Sequence, residues 1–162
     1  VLYDLASHDI SMILSITNEM PINVRVNAIF KNSKTFPDII NIILKFKNNI
    51  HAIINADWIS PYKEHKFSAL GSEGGLIFDD NKNWNEKLTL NPSLIKKDLS
   101  ISHKKSKFIK LIEKEPLKAE LESLIDCIEN NKEPLTNYSE ALNVQKVMEI
   151  IDMKLNKLRD DL

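Results

Sequence analysis

The alternation of apolar and polar side chains between residues 22 and 58 is the feature that most restricts the fold. The apolar positions of the three alternating segments are Val24, Val26, Ala28 and Phe30, then Ile40, Ile42, Leu44 and Phe46, then Ile50, Ala52, Ile54, Ala56 and Trp58. A period of two is typical of a half-buried strand. Asn48-Asn49, between the second and third segments, suits the positive backbone dihedrals of a tight turn. The sequence therefore predicts an antiparallel sheet with a hairpin over 38–58.

Further elements are predicted on both sides of these strands. The remaining predicted strands are 63–71 and 75–79, around Gly71-Ser72-Glu73-Gly74-Gly75, and 86–90. Three- and four-residue spacing of apolar residues predicts helices over 3–18, from Pro116 onward and over 139–158, the last behind a Ser139 cap. The fold class expected is α+β, with a mainly antiparallel, open-faced sheet that helices cover on one face.

The second face of the predicted sheet is unusually apolar for a surface in contact with solvent. Its residues are Ile29, Ile39, Ile43, Ile53 and Leu70, among Asn41, Lys45, His51, Asn55 and Asp57. An apolar patch of this kind favours a protein interface. We expect this face to pack against another subunit in a homodimer or homotetramer. The alternative is an ordinary sheet surface with scattered isoleucines.

Size and charge limit the classes of function. The chain has 162 residues, 43% of them hydrophobic, which predicts one domain with a sizeable core. Lysine and arginine total 22 against 23 acidic residues, so no overall field attracts nucleic acid or an anionic membrane. Residues 91–114 are rich in lysine and serine but show no period. They are interpreted as a long surface loop rather than a nucleic-acid patch.

Glycine and cysteine are scarce. The three glycines, Gly71, Gly74 and Gly75, cannot form the dinucleotide-binding fingerprint or a phosphate loop. The single cysteine, Cys127, lies among apolar helical positions and is interpreted as a buried, inert thiol. One cysteine excludes an internal disulfide and fits a reducing compartment, so a cytoplasmic location is expected.

The first residues, Val1-Leu2-Tyr3-Asp4, resemble neither a signal peptide nor a membrane anchor. A helix that begins almost at the first residue suggests that an upstream part of a longer protein is missing.

Asp4 and His8 are the strongest local candidates for chemistry. Their i, i+4 spacing places a carboxylate and an imidazole on the same helix face. Such a pair can transfer a proton near neutral pH. A solvent-facing pair without catalytic function is the alternative. The four histidines are dispersed and no cysteine pair exists, so no metal site is expected.

The segment from Trp58 to His65 joins two predicted strands and combines aromatic, cationic and imidazole groups. Such a loop could bind a polar or anionic ligand through Trp58, Lys63 and His65. An ordinary strand connection with an aromatic plug is the alternative.

Several of these segments occur in the order typical of one enzyme family. They are Leu2-Tyr3-Asp4-Leu5-Ala6-Ser7-His8-Asp9-Ile10, Trp58-Ile59-Ser60-Pro61-Tyr62-Lys63, Gly71-Ser72-Glu73-Gly74-Gly75-Leu76-Ile77-Phe78-Asp79-Asp80, Pro116-Leu117-Lys118-Ala119-Glu120-Leu121, and Pro134-Leu135-Thr136 with Glu140-Ala141-Leu142. From the first residue to about residue 151, the chain resembles the C-terminal domain of the glucose-fructose oxidoreductase and inositol 2-dehydrogenase family. The tryptophan and glycine segments resemble the nucleotide-sugar 3-dehydrogenase branch.

The resemblance implies that residues 1–162 form a C-terminal substrate and oligomerisation domain. An N-terminal Rossmann domain, absent from this chain, would bind NAD or NADP. Hydride would pass to or from a hydroxyl or carbonyl of a sugar, cyclitol or nucleotide sugar. The resemblance makes His8 the proton donor or acceptor and Asp4 its orienting or substrate-binding partner. Lys63 becomes a substrate contact, and His65 stands where arginine is more usual.

The isolated chain is then expected to be inactive, because the cofactor domain and its lysine are missing. A non-catalytic ligand-binding or oligomerisation module with the same fold is the second hypothesis. Normal hydride transfer after substitution of Asp4 and His8 would favour that module.

Overall fold

A computed structural model describes residues 1–95 and 100–160, and these residues divide into two compact units. The first unit contains Val1–Ser60 and the chain from Cys127 onward, and the second contains Pro61–Asp126. Antiparallel open sheets combined with helices confirm the predicted α+β class. The strands form two sheets rather than the single sheet expected from the sequence.

The first unit contains a three-stranded sheet and helical segments. Its elements in chain order are a π-helical turn Leu2–Ala6, α1 Ser7–Thr17, β1 Asn23–Ile29, β2 Ile39–Lys45, a short 3₁₀ turn Lys47–Asn49, β3 His51–Asp57 and α3 Tyr138–Asp160. The sheet order is β1-β2-β3, antiparallel throughout. Asn48 and Asn49 have φ angles of 53° and 59°, as the predicted hairpin requires.

Helices cover one face of this sheet, as predicted. α1 packs on α3, α3 packs on β1, and the π-helical turn packs on β3. The buried side chains are Leu2, Ala6, Ile10, Ile13, Val24, Ile40, Ile42, Leu44, Phe46, Ile54, Ala56, Val147, Met148, Ile151 and Leu155. They are apolar positions of the strands together with one stripe each of the π-helical turn, α1 and α3. The period-two pattern therefore identifies the core-facing side of the sheet.

The second unit is built on a five-stranded antiparallel sheet. Its strands are β4 Lys66–Gly71, β5 Gly74–Asp79, β6 Leu88–Ile95, β7 Ile101–His103 and β8 Lys107–Ile109. The order is β4-β5-β6-β7, and β8 also pairs with β6. Gly74 has φ of 140°, and a Cβ there would collide with the backbone of Asn91 and Pro92 in the neighbouring strand. This position of the β4–β5 hairpin therefore requires glycine.

The interpretation of 91–114 as a loop is wrong for the part of the segment that forms strands. It contains the end of β6 and the strands β7 and β8, while residues 96–99 lie outside the described part of the chain. Both short strands pair with β6, so backbone hydrogen bonds to an existing neighbour stabilise stretches too short and too polar to show a period.

The helix boundaries differ in detail from the predictions. α2 spans Pro116–Glu129, and the Glu115 carboxylate accepts hydrogen bonds from two N–H groups of its first turn. Asn137, not Ser139, caps α3, because its Oδ1 accepts from the Glu140 N–H at 3.1 Å. The first turn of the predicted 3–18 helix is π rather than α. Cys127 is half-buried, so the prediction of a buried thiol is wrong.

Candidate active site

Asp4 and His8 lie on consecutive helical segments, Asp4 in the π-helical turn and His8 in the first turn of α1. Both side chains are exposed. Within the described residues, no hydrogen bond or ion pair links the two. π-helical turns occur frequently at functional sites. The arrangement leaves both polar groups free to face a ligand, with the imidazole as the group able to exchange a proton.

The buried side of this helical segment is fixed by the core, and two polar contacts fix its exposed side. Leu2 and Ala6 are buried, so the turn cannot rotate without exposing them. The Ser7 hydroxyl donates to the Tyr3 carbonyl at 2.9 Å. The Tyr3 hydroxyl interacts with the Asp152 carboxylate of α3. Desolvation and that carboxylate raise the pKa of Tyr3, so the phenol stays protonated and can donate.

Trp58 immediately follows β3 in the same unit, and hydrogen bonds to two acidic residues hold its backbone N–H and the turn after it. The Trp58 N–H donates to the Asp38 carbonyl at 3.0 Å. In the turn that follows, the Asp57 carboxylate accepts from the Ser60 N–H at 2.6 Å. The indole side chain is exposed, 55% of its residue surface being accessible. This combination gives an exposed aromatic face on a fixed backbone.

Asp38 was not identified as important from the sequence. It is buried, and its carboxylate accepts from the N–H groups of Lys31 and Asn32, both at 2.8 Å, and from the Asn32 side-chain amide at 2.9 Å. The bonds from Asn32, followed by that from Lys31, hold the pKa of Asp38 below its usual value. Asp38 thus closes the β1–β2 loop and, through its carbonyl, supports Trp58.

Lys63 and His65 belong to the second unit and lie in the irregular segment before β4. Both are exposed. The Asn81 side-chain amide donates to the Lys63 carbonyl at 2.8 Å, and the Asp80 N–H donates to the His65 carbonyl at 3.0 Å. The loop after β5 therefore fixes the backbone of the candidate substrate-binding segment.

His65 also has a side-chain partner that the sequence did not predict. Its Nδ1 lies 3.5 Å from Oδ2 of Asp80, whose Oδ1 accepts from the Lys87 ammonium at 2.5 Å. The sequence contained one signal for this group: an acidic pair after an apolar strand, followed within eight residues by an aromatic residue and a lysine. Which acid meets which base depends on the loop geometry, which the spacing does not determine.

The described residues do not fit a dinucleotide cofactor. All three glycines lie in or beside the β4–β5 hairpin and none precedes a helix. A pyrophosphate is normally bound where a glycine-rich turn meets a helix N-terminus. Among the described residues, no group of three or more His, Cys, Asp or Glu side chains could hold a metal ion. The helices within the described ranges are all too short or too polar to cross a bilayer.

The helix-covered three-stranded sheet and the accompanying open antiparallel sheet define the class of this protein as an open-sheet α+β domain. The family model described as the oxidoreductase family's C-terminal alpha/beta domain matches residues 1–155. The chain therefore belongs to that family of oxidoreductase domains.

Solved structures share the fold. The UDP-N-acetylglucosamine 3-dehydrogenase GnnA from Acidithiobacillus ferrooxidans matches 94% of this chain and 46% of its own, with a TM-score of 0.79 and 18% identity. A protein from Magnetospirillum magnetotacticum named as an oxidoreductase matches 91% of this chain and 47% of its own, with a TM-score of 0.72 and 21% identity.

YvaA from Bacillus subtilis, also named as an oxidoreductase, matches 98% of this chain and 49% of its own, with a TM-score of 0.71 and 18% identity. No curated protein sequence matches the chain. At these identities the likeness shows the fold. The chain spans about half the length of the structures that it resembles.

Proposed function

We propose that this chain is the substrate-binding and oligomerisation domain of an NAD(P)-dependent oxidoreductase of the cytoplasm. The match of the family model over residues 1–155 is the observation that carries the proposal. The substrate would be a sugar, a cyclitol or a nucleotide sugar, oxidised or reduced at a hydroxyl or carbonyl group. GnnA, which shares the fold, is named for a nucleotide sugar. NAD or NADP would be held mainly by a separate N-terminal Rossmann domain.

The role proposed for His8 is to take the proton from the substrate hydroxyl during oxidation and to return it during reduction. An imidazole suits this because its unperturbed pKa lies close to neutral pH. Asp4, exposed on the preceding turn, would orient the substrate or the protonated ring. Trp58, Lys63 and His65 would contact the substrate through an aromatic face, an ammonium and an imidazole. The chain on its own would not turn over, because its described residues do not fit the cofactor.

The test is hydride transfer by the full-length enzyme, followed through nicotinamide absorbance. We expect His8→Ala to lower kcat by about 10²- to 10⁴-fold, the contribution typical of a positioned proton-transfer group. Ser15→Ala, an exposed substitution on the same helix, is the matched control and should leave kcat unchanged. Unchanged hydride transfer in His8→Ala and in Asp4→Ala would favour the alternative, a non-catalytic module with the same fold.

The side of the first sheet that the helices leave uncovered is the proposed contact between copies of this chain. This open face consists of Asn23, Arg25, Asn27 and Ile29 on β1, Ile39, Asn41, Ile43 and Lys45 on β2, and His51, Ile53, Asn55 and Asp57 on β3. Its residues are exposed or half-buried, and Ile53 is 64% exposed. Leu70, expected on the same face, instead lies in the second sheet.

The charges on the open face suit packing against a second copy. Arg25, Lys45 and His51 line a shallow cavity at one end. Asp57 lies at the other end of β3, six residues from His51 and therefore about 20 Å away along the strand. A two-fold axis through the middle of the face would bring the basic end of one copy towards Asp57 of the other. The isoleucines would be buried between them.

A further inference from the structure

A polar cluster in the second unit surrounds His65, and its other three residues have no function in the proposal above. We call it the His65 cluster, and it consists of His65, Asp80, Trp84 and Lys87. Asp80 lies between the two bases, with Oδ2 at 3.5 Å from the His65 imidazole and Oδ1 bonded to Lys87. The Lys87 ammonium also lies 4.6 Å from the Trp84 ring centroid. The carboxylate thus has one base buried behind it and one at the surface.

The burial of the two bases differs sharply. The Lys87 side chain is 12% exposed, whereas that of His65 is 51% exposed. A lysine held by a carboxylate and an aromatic face has little freedom to reorient. The backbone carbonyl of Lys87 also accepts a hydrogen bond from the Asp79 N–H at 2.8 Å. This bond fixes the start of β6 beside the cluster. The Lys87–Asp80 ion pair is therefore fixed in position, and the Asp80 carboxylate in turn orients the His65 ring.

The charge state of Asp80 determines which His65 nitrogen carries hydrogen. The Lys87 hydrogen bond holds the pKa of Asp80 below its usual value, against the opposing effect of desolvation. An ionised carboxylate only accepts hydrogen bonds. This carboxylate, 3.5 Å away, therefore favours a hydrogen on the His65 nitrogen that faces it, Nδ1. In a neutral imidazole the other nitrogen, Nε2, then has a free lone pair.

We propose that Asp80 is a positioning residue that fixes His65 in the Nδ1–H tautomer, so that Nε2 accepts a hydrogen bond from a hydroxyl group of the substrate. This inference rests on the proposed function and specifies its substrate chemistry at this position. A lysine or arginine here could only donate, and would favour an anion. The neutral His65 ring instead accepts a hydrogen bond at Nε2 and therefore selects a hydroxyl group, which can donate one.

The tautomer can be measured directly in the whole chain labelled with ¹⁵N in its histidine rings. At pH 8 we expect the His65 Nε2 resonance at the position of an unprotonated ring nitrogen and Nδ1 at that of a protonated one. His65→Gln assigns the signals. A wild-type spectrum with hydrogen on Nε2 of His65 overturns the proposal.

Variants identify the residue responsible. Asp80→Asn should shift His65 towards the Nε2–H tautomer, because the amide NH₂ group can itself donate a hydrogen bond to an unprotonated Nδ1. Asp79→Asn is the matched control, because Asp79 is the adjacent acid but faces Lys66 at 3.8 Å. It should leave the His65 resonances at their wild-type positions. The same tautomer in wild type and in folded Asp80→Asn contradicts the role of Asp80.

Two probes test the ligand chemistry. At pH 8, N-acetylglucosamine should shift the Nε2 resonance and inorganic phosphate should not. Phosphate shifting Nε2 at pH 8, or N-acetylglucosamine leaving it unchanged, overturns the hydroxyl assignment. If N-acetylglucosamine leaves Nε2 unchanged but hydride transfer still depends on His8, only the His65 inference is rejected. If His65 has the predicted tautomer but hydride transfer does not depend on His8, only the catalytic proposal is rejected.

Discussion

Asp38 is the one polar residue buried among the described side chains, and its effect on stability should depend on pH. Its folded-state pKa lies below the ordinary aspartate value, because Asn32 and Lys31 donate to the carboxylate. The unfolded chain therefore binds a proton at higher pH than the folded chain does. The stability that Asp38 contributes is present above the unfolded pKa, about 3.9, and is lost as pH falls through the lower folded pKa.

We expect Asp38→Asn to lower stability at pH 7, because an amide cannot accept all three hydrogen bonds. It should also flatten the fall in stability below about pH 4. Urea unfolding between pH 3 and pH 7 measures both effects. Glu19→Gln, at an exposed carboxylate after α1, is the control and should keep the wild-type slope. If the free energy of unfolding of wild type and of Asp38→Asn changes with pH in parallel, Asp38 does not contribute the predicted pH dependence.

At the scale of the element, two isoleucines on neighbouring strands test which face of the first sheet is buried. Ile42 on β2 is fully buried under the helices, whereas Ile53 on β3 lies on the open face. Ile42→Ala should lower the free energy of unfolding by about 2–5 kcal/mol, the usual cost of a large-to-small change in a core. In dilute protein, Ile53→Ala should cost well under half as much. Equal losses in urea unfolding would contradict the assignment of faces.

The elements also show what the sequence could predict. The strands β1 to β3 were predictable because each alternates over seven residues and Asn48-Asn49 marks the turn. The strands β7 and β8 were not, since three residues cannot establish a period and pairing with β6 decides their conformation. The candidate residues Asp4, His8 and Lys63 came from spacing and resemblance, whereas Asp80 required the folded loop.

At the scale of the whole molecule, the open face should control assembly. We expect the chain to form a dimer or larger oligomer at micromolar concentration, and Ile53→Glu to dissociate it by placing a charge among buried isoleucines. Ile16→Glu changes an equally exposed isoleucine on α1 and is the matched control. Sedimentation velocity measures the masses. A monomeric wild type, or an Ile53→Glu protein that keeps the wild-type mass, would contradict the proposed interface.

The central claim is that His8 exchanges a proton with the substrate of an oxidoreductase, and kcat for hydride transfer by the full-length enzyme tests it most directly. His8→Ala should lower kcat for oxidation and for reduction by about 10²- to 10⁴-fold, because no positioned group then takes or returns the proton. Ser15→Ala should keep the wild-type kcat. A His8→Ala enzyme with the wild-type kcat would contradict the account.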